Sequence, residues 1–225
     1  MYTIADRKGV CWVARKKLAG AILKQDQQKI EGDHMNIVGV CRHGLGGDLY
    51  STGMDTLTAK LNAATPVGCH FTVSGGNDPR LDEASFDQGL LAAMGKGATV
   101  IYIGHSLGAD AALRFCQLAA RANFNLPLVC PVDPVSWDSN AAQFQAGRWE
   151  VGPNVARVIG FLSTAFPGQG RVFPATGNTT TRITDTQLNL PHATFPGGLD
   201  IASSPDVHAA ITSGVMDVIA QLQVS

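Results

Sequence analysis

Apolar and polar positions follow one repeating order from Asn36 onward. NIVGVC (36–41) is a short apolar run followed by the glycine-rich RHGLGGD, after which Tyr50, Met54, Leu57 and Leu61 recur at helical spacing. GCHFTVSGG (68–76) predicts a second strand. Asp78-Pro79 then supplies an N-cap and a first-turn proline for a helix carrying Leu81, Phe86, Leu90 and Met94. TVIYI (99–103) is continuously apolar, as in a strand buried on both faces, and an alanine-rich helix is predicted over 107–122. LPLVCPVD (126–133) and VARVIGFL (155–162) predict two further strands, and TTRITDTQ (180–187), polar on alternate positions, a sixth. Ser204-Pro205-Asp206 opens a final helix with Val207, Ile211, Val215, Val218 and Leu222 on one stripe. The pattern predicts an α/β fold: a mainly parallel central sheet with helices on both faces.

The segment before Asn36 differs. Val10, Val13, Ala14, Leu18, Ala21 and Ile22 form an amphipathic helix whose other face carries Lys8, Arg15, Lys16 and Lys24. Such a helix can lie on anionic lipid or bind a partner, but the plainer expectation is that residues 1–35 dock their apolar face on a single domain spanning 1–225.

At 225 residues the chain is long enough for one sizeable core. Its formal charge of −1 provides no global field to attract nucleic acid, so none is expected as a partner. The five cysteines (Cys11, Cys41, Cys69, Cys116, Cys130) are odd in number and mostly lie in apolar runs, which points to packed free thiols and a reducing compartment. The start lacks an uninterrupted apolar core with a cleavage site, and no run is long enough to span a bilayer. A cytoplasmic protein is expected, and the sequon at Asn178-Thr179-Thr180 then carries little weight.

The chemistry concentrates in Gly104-His105-Ser106-Leu107-Gly108, between the buried strand and the alanine-rich helix. A serine on a sharp strand-to-helix turn needs small neighbours where the backbone meets other elements, and it sits in strained φ/ψ space. The plainer alternative is an ordinary turn with Ser106 capping the helix. A second glycine-rich loop, RHGLGG (42–47), also follows a central strand, so two oxyanion donors are expected: the N–H of Leu107 and that of Leu45.

With GHSLGA and HGLGG together, the chain from Asn36 to Leu222 resembles the α/β-hydrolase superfamily, in particular its compact lipase, esterase and thioesterase members. The resemblance implies a minimal α/β-hydrolase fold with little or no cap, and a nucleophile, acid and base arranged in that order along the chain. Of the two histidines after Ser106, His192 lies in the loop NLPHATFPGG before the last helix, where the family places its base. His208 lies inside that helix and is expected at the surface or partly packed. The acid is expected at Asp133, which Pro134 should hold extended at a strand end. The commoner family position is one strand later, where VARVIGFLSTAFPGQG has no carboxylate; some lipase-like members use the earlier strand. Asp185 and Asp138 remain alternatives.

The resemblance therefore implies a carboxylic-ester hydrolase working through Ser106, His192 and Asp133 on a small-molecule ester. The alternatives are an acyl thioesterase and a catalytically silent binding protein of the same fold. No cofactor is expected. Leu49 replaces the third glycine of a dinucleotide loop, and neither glycine-rich loop carries the Lys-Ser/Thr of a phosphate loop. No metal is expected either: His34, His43 and His70 are scattered, with no His-Glu-x-x-His or Cys-x-x-Cys. His43 is read as shaping its loop, His105 as filling the open position beside Ser106, and Cys41 as core. Phe144 and Trp149, in the short stretch 138–154, are read either as a small apolar lid or as core.

Overall fold

A computed structural model describes residues 35–75, 78–139, 143–166, 170–194 and 198–224. The amphipathic segment before Met35, with Cys11, lies outside the described residues. Those from Met35 onward belong to one compact unit.

The alternating pattern becomes strands β1 (Ile37–Arg42), β2 (Cys69–Ser74), β3 (Thr99–His105), β4 (Leu128–Val132), β8 (Arg157–Ser163) and β10 (Arg182–Leu188). They form one sheet in the order β10-β8-β4-β3-β1-β2, with every pairing parallel. Helices α1 (Thr52–Ala64) and α4 (Pro205–Gln223) cover one face, where Met54, Leu57, Leu61, Val207, Ile211 and Val215 meet Cys41, Ile101 and Ile103. Helices α2 (Glu83–Met94) and α3 (Leu107–Arg121) cover the other, where Leu90, Ala112 and Phe115 meet Val40, Val100 and Tyr102. Neighbouring strand residues thus point to opposite cores, which is why the central strands read as unbroken apolar runs. The expected α/β architecture is the observed one.

After β1 the chain moves outward to β2, then returns past β1 to β3 and continues to β4, β8 and β10. The loops leaving β1 and β3 therefore diverge, opening a crevice at the carboxyl ends of these strands. Both glycine-rich segments flank it.

Three details differ from the sequence expectation. Helix α2 begins at Glu83, four residues later than Asp78-Pro79 would start it, leaving Leu81 exposed. The cause is Arg42, a fully buried guanidinium that bonds the Pro79 carbonyl and, at 2.6 Å, Asp82, and lies 4.6 Å from the Phe86 ring centroid. A buried cation needs such partners, and taking them holds 78–82 in turns. The region 136–174 also contains short strands that the polarity pattern hides: β5 (Ser136–Asp138) pairs β6 (Gln143–Gln145), and β7 (Arg148–Val151) pairs β9 (Arg171–Pro174). Trp149 is core rather than lid, buried with its indole N–H donating to Asp110 at 2.8 Å. The Phe144 side chain is outside the described set.

His208, expected near the surface, is buried. Its Nδ1 accepts from Lys60 Nζ at 3.1 Å and its Nε2–H donates to the Ala202 carbonyl at 2.8 Å. Burial, the largest cause, holds its pKa below the ordinary 6.5. Below that value the unfolded chain takes up a proton that the folded chain resists, so stability falls as pH drops through it. His105, shifted the same way, adds to the effect. The two histidines therefore lower the thermal midpoint between pH 7.5 and pH 5, against an opposite contribution from Asp87, whose carboxyl burial pushes up to about 6. His208→Gln, whose amide reaches where Nε2 was and can keep the bond to the Ala202 carbonyl without titrating, should shrink that contribution.

Candidate active site

The β3-to-α3 turn places Ser106 at φ 56°, ψ −121°, a region disfavoured for any side chain and costing about 1–3 kcal/mol. The surroundings fix it there: Ser106 N–H donates to the Val132 carbonyl at 3.0 Å, and its own carbonyl accepts from Ala109 and Asp110 at 3.1 and 3.2 Å. Although Ser106 occupies the N-cap position of α3, its hydroxyl makes no capping hydrogen bond. The helix-cap reading fails on that point. The hydroxyl instead lies 2.9 Å from His192 Nε2.

The glycines of the pentapeptide are steric requirements. A methyl at Gly104 would strike the Gly108 backbone, and one at Gly108 would come within 2.5 Å of the Arg42 carbonyl oxygen and nearer still to that of His43. Gly108→Ala must push α3 away from the β1 loop. The expected cost is about 1–3 kcal/mol, with a loss of turnover beyond what the thermal midpoint explains. Measuring both on one sample separates the two effects.

His192 Nδ1 lies 2.7 Å from Asp133 Oδ2, and Asp133 is fully buried. The other oxygen, Oδ1, accepts the Ser163 N–H at 2.8 Å. Asp133 is not extended as Pro134 led one to expect: its φ is 47°. Its N–H donates to the Phe161 carbonyl at 2.7 Å, and together with the two carboxylate bonds this holds it in the left-handed region. Of the alternative acids, Asp185 lies on the outer strand β10, exposed and beside Gly160. Asp138 lies on β5, and its side chain is outside the described set.

The loop carrying His192 is clamped at several points. Ser163 Oγ donates to the Leu190 carbonyl, and Ile201 N–H to that of Pro191 at 3.0 Å. Buried Asp200 accepts from the Thr194 and Ser203 N–H groups at 3.1 and 2.8 Å. The His192 ring sits between Phe166, stacked at 4.4 Å between centroids, and His105, at 4.8 Å. Ser163, Phe166 and Asp200 escaped sequence reading because no local motif marks a serine, phenylalanine or aspartate that acts through a distant loop.

The β1 loop crosses over Ser106. A methyl built on Gly44 would lie 2.6 Å from Ser106 Cβ and 3.1 Å from its Oγ. Gly44 N–H is spent on Ser51 Oγ at 3.1 Å. The N–H groups of Leu45 and Leu107 donate to no group among the described residues and flank the Ser106 turn, Leu107 at the positive end of α3. His43 shapes the loop as expected, with Nε2 2.9 Å from Asp55. Cys41 is buried and its thiol is pushed up to about 12, mainly by desolvation, consistent with packing. No group of three His, Cys, Asp or Glu side chains among the described residues is arranged to hold a metal. No helix among them is long and apolar enough to cross a membrane.

No family model and no curated protein matches this chain. Among solved structures, the type II thioesterase BorB of the borrelidin biosynthetic cluster matches at 12% identity and a TM-score of 0.45, covering 83% of this chain and 91% of that one. Human thioesterase 2 matches at 12% identity and 0.47, covering 84% and 99%. A protein of Xanthomonas campestris pv. campestris, assigned as a hydrolase of the alpha/beta superfamily, matches at 14% identity and 0.41, covering 82% and 98%.

Proposed function

We propose that this chain is a serine hydrolase acting by acyl transfer on carboxylic esters, with Ser106 as nucleophile, His192 as general base and Asp133 as the orienting acid. The observation that carries the reading is the continuous polar line from Ser106 Oγ, on a serine held at positive φ, through His192 to Asp133, at 2.9 and 2.7 Å. Three residues from separate loops meet at one crevice with the spacing that proton transfer requires.

In the proposed cycle His192 Nε2 takes the Ser106 proton as Oγ attacks the acyl carbonyl. Asp133 keeps Nδ1–H directed at itself and stabilises the imidazolium that forms. The carbonyl oxygen becomes an oxyanion held by the Leu107 and Leu45 N–H groups. When the tetrahedral centre collapses, the imidazolium returns its proton to the leaving alcohol and an acyl-Ser106 remains. Water, deprotonated by His192, attacks that acyl carbon. The second collapse releases the acid and restores Ser106.

Nothing in this geometry distinguishes an oxygen ester from a thioester, because the leaving atom faces the same proton donor. Turnover of p-nitrophenyl esters, acyl thioesters and anilides by the purified chain decides the class. Ester turnover that disappears in His192→Ala is expected. Folded protein that turns over none of the three would overturn the enzyme reading in favour of a binding protein.

A further inference from the structure

His105 fills the open position of the pentapeptide, and the acyl-transfer scheme gives it no task. It is nevertheless buried with both ring nitrogens engaged: Nδ1 lies 2.8 Å from Ser51 Oγ and Nε2 lies 2.9 Å from the His192 carbonyl oxygen. A carbonyl only accepts, so Nε2 carries the hydrogen. Desolvation, then the neighbouring His192, holds the ring neutral well below the ordinary 6.5, which leaves Nδ1 to accept from the Ser51 hydroxyl. Ser51 Oγ in turn accepts the Gly44 N–H at 3.1 Å.

The three bonds run in one direction: Gly44 N–H to Ser51, Ser51 O–H to His105, His105 N–H to the His192 carbonyl. One end is the residue before Leu45 and the other is the backbone of the base. These two loops leave β1 and β10, which lie on either side of β3, the strand that leads into Ser106. The rings of His105 and His192 also touch, tilted by 34° with centroids 4.8 Å apart. An apolar side chain would fill the same volume without requiring two buried polar partners.

We infer that Ser51 and His105 are positioning residues that tie the oxyanion loop to the loop of the general base, so that one polar chain sets the Leu45 N–H and the His192 ring together about Ser106. The inference rests on the acyl-transfer reading. It separates two variants that look alike in size. Asn places its amide where Nδ1 was and can keep the Ser51 half; Gln reaches where Nε2 was and can keep the His192 half.

The test compares Ser51→Ala, Ser51→Thr, His105→Asn, His105→Gln and the double variant Ser51→Ala/His105→Gln, by ester kinetics and by affinity for an aryl boronic acid as tetrahedral analogue. Ser51→Ala should lower kcat about 10- to 100-fold and weaken the boronic acid comparably, while KM moves little. Ser51→Thr, which keeps the hydroxyl, should recover most of the loss. The double variant should be little worse than the worse single one, because a chain cut once is already cut. Independently of turnover, nitrogen-15 NMR should show His105 as the neutral Nε2–H tautomer from pH 5 to pH 8. Wild-type kcat in the folded single variants, full additivity in the double, or a cationic or Nδ1–H His105 each overturns the link. If wild-type protein itself turns over no acyl substrate, the acyl-transfer reading has failed and the catalytic part of the inference with it; the tautomer result still reports on the polar chain.

Discussion

Ser106→Gly should abolish turnover, lowering kcat by about 10^6-fold, while raising the thermal midpoint. The two effects come from one feature. At φ 56°, ψ −121° a side chain is strained and glycine is not, so glycine relieves part of a cost of about 1–3 kcal/mol. Glycine's greater freedom in the unfolded chain offsets some of that gain. Nothing is lost at the start of α3, because the hydroxyl caps no helix N–H. For a chain of this size each kcal/mol moves the midpoint by about 2–4 °C, so a rise of a few degrees is expected by calorimetry. Ser106→Ala should be equally inactive without the rise, since alanine keeps the strained Cβ. A fall in midpoint for Ser106→Gly would mean that the hydroxyl contributes to stability and the turn is not a store of strain.

Asp133→Asn should lower kcat by about 10^4-fold with the fold intact. The remaining oxygen can still accept the Ser163 N–H, which makes the 2.8 Å bond to Oδ1 now. The new amide instead donates towards His192 Nδ1, forcing the hydrogen onto Nε2, where it faces Ser106 and cannot accept the hydroxyl proton. Asp185→Asn should leave turnover within a factor of two, because that carboxylate sits on the outer strand beside Gly160. Steady-state kinetics on both variants, with circular dichroism to confirm folding, checks the assignment. A large loss in the Asp185 variant together with none in the Asp133 variant would reverse it.

The strands and helices that carry the site were legible because both faces of the sheet are covered. Burial on two sides turns β3 and β4 into unbroken apolar runs, and the flanking glycines mark the two loops. Asp133 was visible as a residue but not in its conformation. Pro134 disfavours helical backbone, and only the long-range bonds to Phe161, Ser163 and His192 hold φ at 47°. The late start of α2 was hidden for a similar reason, since the partner that overrides Asp78-Pro79 is Arg42, far away in sequence. His208 and His105 read as surface and filler because a buried neutral histidine is specified by distant partners, Lys60 and Ala202 for one, Ser51 and His192 for the other. Trp149 shows the same limit. The strand RWEV alternates exposed and buried, but four residues are too few for that alternation to stand out in the sequence, and the place of Trp149 is fixed by Asp110 on α3.

The central claim is that Ser106 is a nucleophile activated by His192. The most direct measurement is labelling of the folded chain with a fluorophosphonate, followed by peptide mass spectrometry to locate the adduct. A single phosphonyl group on Ser106, formed within minutes and lost in His192→Ala, is the predicted result. Unlabelled Ser106 in folded protein, or equal labelling with and without His192, would contradict it.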